Sequence, residues 1–171
     1  TRHVSKRVQE QSLALVCLGK AAALARRRRP RGRMQCAHSF KGERFGPAQA
    51  LHGITFVVDA VCKGSCLLPE NYLVDICAAE AALHDALAQY HLRNLDDVAE
   101  FADDNTTCER LARAVWEPVA SELGRTQPMV QSLRIDVQES DVASVAYERP
   151  LGADASRGLY TVSVRGRFMA A

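Results

Sequence analysis

What this chain of 171 residues lacks narrows its identity first. It offers no apolar run able to span a bilayer: SLALVCLGKAAALA at 12–25 is interrupted by Gly19-Lys20 and falls short of the ~20 residues a spanning helix needs. No secretory signal precedes the cysteines at 17, 36, 62, 66, 77 and 108, which are scattered through apolar segments. Buried thiols in a reducing compartment, here the cytoplasm, fit that distribution better than a disulfide framework. The only close pair, Cys62 and Cys66 in CKGSC, has neither a second pair nor a nearby histidine, so a strand end and turn is expected there. The glycine pattern that would make Lys20 a phosphate-binding lysine is missing. A strong charge of one sign is missing too, since the net charge is only +2. Arg26–Arg29, with Arg31 and Arg33, supply much of the positive charge, whereas Asp96, Asp97, Glu100, Asp103 and Asp104 cluster in an acidic stretch. The bulk of the chain therefore does not read as a nucleic-acid binder, and any contact with nucleic acid or a membrane surface is confined to Arg26–Arg33 and the helix before it.

What is present is an ordinary globular composition, 47% apolar and 25% charged, with length for one domain and an appendage. Residues 1–33 read as a basic, dispensable extension, 34–150 as the domain, and 151–171 as a linker and a further strand. Thr1 is not a natural start, which marks a fragment, a processed form or a frame extended upstream. RGRFMAA (165–171) echoes RGRMQCA (31–37), as the opening strand of a second copy would.

Within the domain, strands are expected over 32–40 and about 54–63. A helix follows from about Asp75 to Leu92, with alanines and leucines at helical spacing. A second helix starts at Thr106 or Thr107 as N-cap and runs to Leu123, with Gly124 as its stop and Pro118 at a kink or last turn. SLRIDVQES (132–140) and VASVAYER (142–149) alternate as two paired strands. The order β-β-α-α-β-β predicts an α+β fold: a four-stranded antiparallel sheet with two helices on one face, plus an extra C-terminal strand.

The chemistry concentrates in FGPAQALHGITFVVDA (45–60), where a Gly-Pro turn leads to His52 at the point where loop becomes strand. A loop admits a ligand and a strand fixes the ring's direction. His38, in CAHSF, ends the preceding strand. Two histidines on strand ends of one hairpin can share a metal; a satisfied surface or core histidine is the competing reading.

CAHSF, LHGITF, YLVDI, LRNLDD, NTTCERLARAVWEPV, LRIDVQES and VAYE, in order over roughly residues 34–150, resemble the 6-pyruvoyltetrahydropterin synthase / 6-carboxytetrahydropterin synthase family. The resemblance implies the tunnelling fold, whose subunits join their sheets into a barrel, usually as a homo-oligomer of two stacked trimers. It implies a lyase-type enzyme acting on a dihydroneopterin-type substrate with zinc, or else a non-catalytic pterin- or purine-binding oligomeric module of the same fold. His38 matches the first zinc ligand and His52 the second. Glu139 matches the carboxylate that anchors the pterin, and Thr107 and Glu109 match the TxE at the start of the second helix. Three departures stand against this pattern. Ile54 replaces the third zinc ligand, Ala48 stands where the proton-moving cysteine belongs, and the Asp-His pair falls on His91 and Leu92. His91 is then the candidate proton relay, and Glu43 or Gln49 the groups that could lie near a metal.

Overall fold

The computed structural model describes residues 30–152 and 157–166. The helix expected over 12–25, Arg26–Arg29 and most of the RGRFMAA repeat lie outside the described residues. The strands are β1 (Arg31–His38), β2 (His52–Lys63), β3 (Arg93–Asn94), β4 (Ser132–Gln138), β5 (Ala143–Pro150) and β6 (Leu159–Val164), and the helices are α1 (Ile76–Ala88) and α2 (Cys108–Thr126). They form one six-stranded sheet in the order β3-β1-β2-β4-β5-β6. The expected β-β-α-α-β-β core is intact, with antiparallel pairing through β1-β2-β4-β5 and β6 added antiparallel to β5. β1 already begins at Arg31, inside the stretch read as an extension.

Alternation fixes the two faces. Met34, Cys36 and His38 on β1, Phe56 and Val58 on β2, and Leu133, Ile135 and Val137 on β4 are buried, with partly exposed residues between most of them. Cross-strand partners share a face, so the pairs Met34–Phe56, Val58–Val137 and Ala60–Ile135 make one continuous apolar surface. Both helices cover it. α1 contributes Ala79, Ala82, Leu83, Ala86 and Leu87, and α2 contributes Leu111, Val115, Trp116, Val119 and Leu123. The opposite face carries paired charges: Arg31 donates from Nε and Nη2 to the buried Asp59 at 2.7 and 2.8 Å, Arg134 pairs with Asp136, and Lys63 with Glu148.

Caps and turns set the ends of the elements. The Asp75 carboxylate accepts from the backbone N–H of Cys77 and Ala78 and starts α1; the Thr107 hydroxyl accepts from Arg110 N–H and starts α2. Gly64, where β2 leaves the sheet, has no room for a Cβ, which would run into the Met129 carbonyl. β3 was not expected from the sequence. It arises because Leu92, at φ 58°, turns the chain so that its N–H donates to the Gln35 carbonyl at 2.6 Å. Two residues then pair parallel with Cys36 and Ala37 of β1. Cys36, Cys62 and Cys108 are buried free thiols, and Cys77 is an exposed one. Among the described residues no helix is long and apolar enough to cross a membrane.

Candidate functional site

His38 and His52 are direct cross-strand partners at the end of the β1-β2 pair, and their rings lie 4.6 Å apart, centroid to centroid. The His52 Nδ1 is 2.9 Å from the Ala50 carbonyl, an acceptor only, so Nδ1 carries a hydrogen and donates it there, leaving Nε2 as the ring's other position. His38 is 2% exposed; its Nδ1 lies 2.9 Å from the Thr106 hydroxyl, and its Nε2 is buried without a partner. Burial, then the proximity of His52, pushes the His38 pKa down against the opposing pull of Thr106, Asp96 and Glu139, so its imidazole is neutral at pH 7.

A cavity of about 210 Å³ lies on the same side of the sheet, lined by Glu139, Thr107, Cys108, Glu109, Phe40 and Val162 together with Ala143, Ser144 and Val145. Glu139 follows β4 by one residue, and its backbone N–H donates to the Ala143 carbonyl. Thr107, Cys108 and Glu109 are the N-cap and first turn of α2, where backbone N–H groups have no helical acceptor. Cys108 donates from Sγ to Glu139 Oε2 at 3.3 Å. Burial first, then the bond to Glu139 and the charges of Glu139 and Glu109, push this thiol far up, so it is protonated at pH 7. Phe40 connects the two halves of the site. Its ring packs against His38 at 4.7 Å and His52 at 6.0 Å, while it also lines the cavity.

Loop-to-loop bonds hold this arrangement. Lys41 N–H donates to the Asn105 side-chain oxygen at 2.6 Å and Asn105 Nδ2 donates back to the Lys41 carbonyl, which fixes the end of β1 against the entry to α2. Ser39 donates from its backbone N–H and hydroxyl to Asp96. Arg110 reaches from α2 to Asp104 and to the side chain and backbone of Glu100, with its guanidinium stacked on Phe101.

The structure thus gathers Glu139, Thr107 and Glu109 round one cavity and sets His38 and His52 beside it, behind Phe40. It does not bring His91 there: His91 is exposed, and its Nδ1 accepts the Gln35 N–H at the edge of β1. Glu43 and Gln49 are exposed, and the Gln49 amide donates to the Gly46 carbonyl. Thr106 was read only as an alternative N-cap, a place Thr107 takes, and Phe40, Cys108 and Val162 were given no role at the site. Only Cys108 carried a signal there, standing between Thr107 and Glu109.

A zinc ion is tested by the donors present. Two imidazoles, each held through Nδ1, fit two corners of a tetrahedral site through Nε2. Ile54, next on the same face of β2, packs against the core and cannot ligate. Among the described residues no group of three histidine, cysteine or acidic side chains is placed to hold a metal. The set is therefore incomplete among the described residues.

Comparison with known proteins places this geometry. A family model described as 6-pyruvoyl tetrahydropterin synthase matches residues 29–150. No curated protein sequence matches. Among solved structures, the 6-pyruvoyl tetrahydropterin synthase of Caenorhabditis elegans superposes with a TM-score of 0.57 at 19% identity, covering 69% of this chain and 91% of its own. That of Plasmodium vivax gives 0.58 at 13% identity, covering 75% and 99%. That of Plasmodium falciparum gives 0.57 at 10% identity, covering 84% and 100%.

Proposed function

The chain belongs to the 6-pyruvoyl tetrahydropterin synthase family, and from that premise we propose that it is a pterin-binding, lyase-type enzyme that seats a dihydropterin ring in the cavity beside Glu139. The observation that carries this reading is the carboxylate of Glu139 set at a small cavity over the first turn of α2. The pyrimidine edge of a pterin offers a ring N–H and an amino group side by side. A carboxylate offers two acceptor oxygens at matching separation, and such charge-assisted pairs are the strong hydrogen bonds. The first-turn N–H groups of α2 favour the ring's carbonyl oxygen, and Phe40, Val145 and Val162 supply apolar walls. At about 210 Å³ the cavity lies below the ~300–1,000 Å³ of drug-sized sites, in scale with one bicyclic ring.

The ring's side chain then extends toward the imidazole pair. His52 turns its Nε2 side to the substrate, with its ring direction set by the bond to Ala50. His38 and His52 are the residues that would hold a zinc ion, which when bound would polarise oxygen atoms on the substrate side chain. A second reading, a non-catalytic pterin- or purine-binding module, is favoured by two positions. Ala48 supplies only its carbonyl, to Phe40 N–H, and Ile54 ligates nothing. In both readings the chain works in the cytoplasm as a homo-oligomer, a trimer or hexamer. The apolar side chains exposed along β6 (Leu159, Val162 and Val164) support such an assembly.

The test is incubation of the purified protein with 7,8-dihydroneopterin triphosphate, following binding by fluorescence and products by chromatography. Binding with cleavage or rearrangement of the side chain is the expected result. Tight binding without product selects the module, and no binding overturns both readings. For the metal, the expected outcome is zinc well below one per chain in the wild type. Ile54→His is expected to raise it toward one per chain and to tighten zinc at least ~10-fold by supplying a third imidazole on the same strand face. Metal analysis after dialysis checks this, and unchanged zinc content in Ile54→His would show that the three positions do not converge.

A further inference from the structure

We propose that Cys108 is a positioning residue for the ring anchor, its thiol proton holding the Glu139 carboxylate in the orientation that accepts a two-donor ring edge. The inference rests on the reading of the cavity as a ring site. Glu139 is exposed and lies in the turn after β4, where a glutamate side chain has little of its own to fix it. Cys108 is 8% exposed at the start of a 19-residue helix, and its Sγ lies 3.3 Å from Glu139 Oε2. A helix therefore grips an exposed turn residue through a single hydrogen.

The direction of that hydrogen bond decides what the thiol does. A thiolate beside two carboxylates, Glu139 and Glu109, is disfavoured by burial and by like charge, so the sulfur keeps its proton and donates it. Cys108 is then not a substitute for the proton-moving cysteine missing at Ala48, because that role needs a thiolate. It occupies one lone pair of Oε2 and leaves the others on both oxygens open to the cavity. A carboxylate has about four acceptor positions, so the thiol and two ligand N–H groups are accommodated together. Fixing the carboxylate beforehand removes an ordering cost that a free glutamate would bear on binding.

Three variants test this, with pterin itself as the probe. Cys108→Ala removes the donor and is expected to weaken pterin binding three- to tenfold with an unchanged melting temperature. Cys108→Ser restores a donor of similar size and is expected to bind within twofold of the wild type. A readout without ligand accompanies them. The S–H stretching band of Cys108, isolated as the infrared difference between wild type and Cys108→Ser, is expected at the lowered frequency of a bonded thiol and to rise in Glu139→Ala. Equal pterin affinity in wild type, Cys108→Ala and Cys108→Ser overturns the positioning role. An S–H band indifferent to Glu139→Ala overturns the thiol–carboxylate pair itself. A wild type that binds no pterin while its S–H band responds to Glu139→Ala sinks the ring-site reading, and the positioning role with it.

Discussion

Glu139→Ala is expected to lower pterin affinity at least ~100-fold while leaving the fold intact. Hydrogen bonds to a charged group are worth about 1.5–3 kcal/mol each, and this substitution removes two of them from the bound ring. The side chain is exposed and sits outside the strand, so the core loses only the Cys108 thiol's bond with it. Glu139→Gln separates shape from charge: it keeps one oxygen but sets an NH₂ group against a ligand donor, and a loss of similar size is expected. Isothermal titration with pterin and a thermal melt of both variants provide the check. Retention of affinity within threefold in Glu139→Ala would remove this carboxylate as the anchor.

The largest effect on stability is expected at Trp116, the single tryptophan of the chain. It is 3% exposed on the sheet-facing side of α2, and its indole N–H donates to the Leu133 carbonyl of β4 at 2.8 Å. Tyr147 of β5 meets it edge-on at 5.7 Å, and the Arg149 guanidinium lies over its ring at 4.9 Å. One side chain therefore ties α2 to two strands. Trp116→Ala removes the packing and opens a cavity, at a cost of about 3–5 kcal/mol. At about 2–4 °C per kcal/mol for a chain of this size, the melting temperature falls by roughly 6–20 °C. Trp116→Phe preserves most of the volume but removes the indole's bond to the Leu133 carbonyl, which keeps its place in the ladder with Arg149, at about 0.5–1.5 kcal/mol. Circular dichroism melts follow both, since the substitutions delete the fluorophore. A shift of less than 2 °C in Trp116→Ala, roughly 1 kcal/mol or less at that rate, would contradict this account of the core.

Much of the fold was legible because its signals are local. The Thr107 cap and the helical spacing of Leu111, Val115, Trp116 and Val119 announced α2, and alternation announced β4 and β5. The boundaries moved where tertiary contacts took over. α2 passes the expected stop at Gly124 to Thr126, held by the Thr126 hydroxyl on the Glu122 carbonyl and by the Arg125–Glu122 pair. α1 ends at Ala88, short of Leu92, because the chain there is drawn to the edge of β1 at Gln35. The expected β1 reached Phe40, but Ser39 and Phe40 leave the ladder for Asp96 and Ala48.

The site divides in the same way. His38 and His52 were readable as a pair because a hairpin brings near neighbours together. The Thr106 hydroxyl on His38 joins residues 68 apart in sequence, and no local pattern marks such a contact. Phe40 was read only as the end of a strand; the geometry shows it touching both imidazoles and the cavity. His91 kept its place in the chain, but there it serves the backbone of β1.

β6 gives the cavity an unusual kind of boundary. Val162 forms part of the wall, yet among the described residues its strand is paired with β5 alone, and most of its side chains face water. In a single subunit, before assembly covers it, an edge strand held on one flank is among the first pieces to detach, at a free energy well below that of global unfolding. The pocket's lifetime is then governed by the breathing of its least secured member. A guest lying against Val162 would have its escape rate set by the fraying of this strand, and would in turn slow that fraying for as long as it stayed.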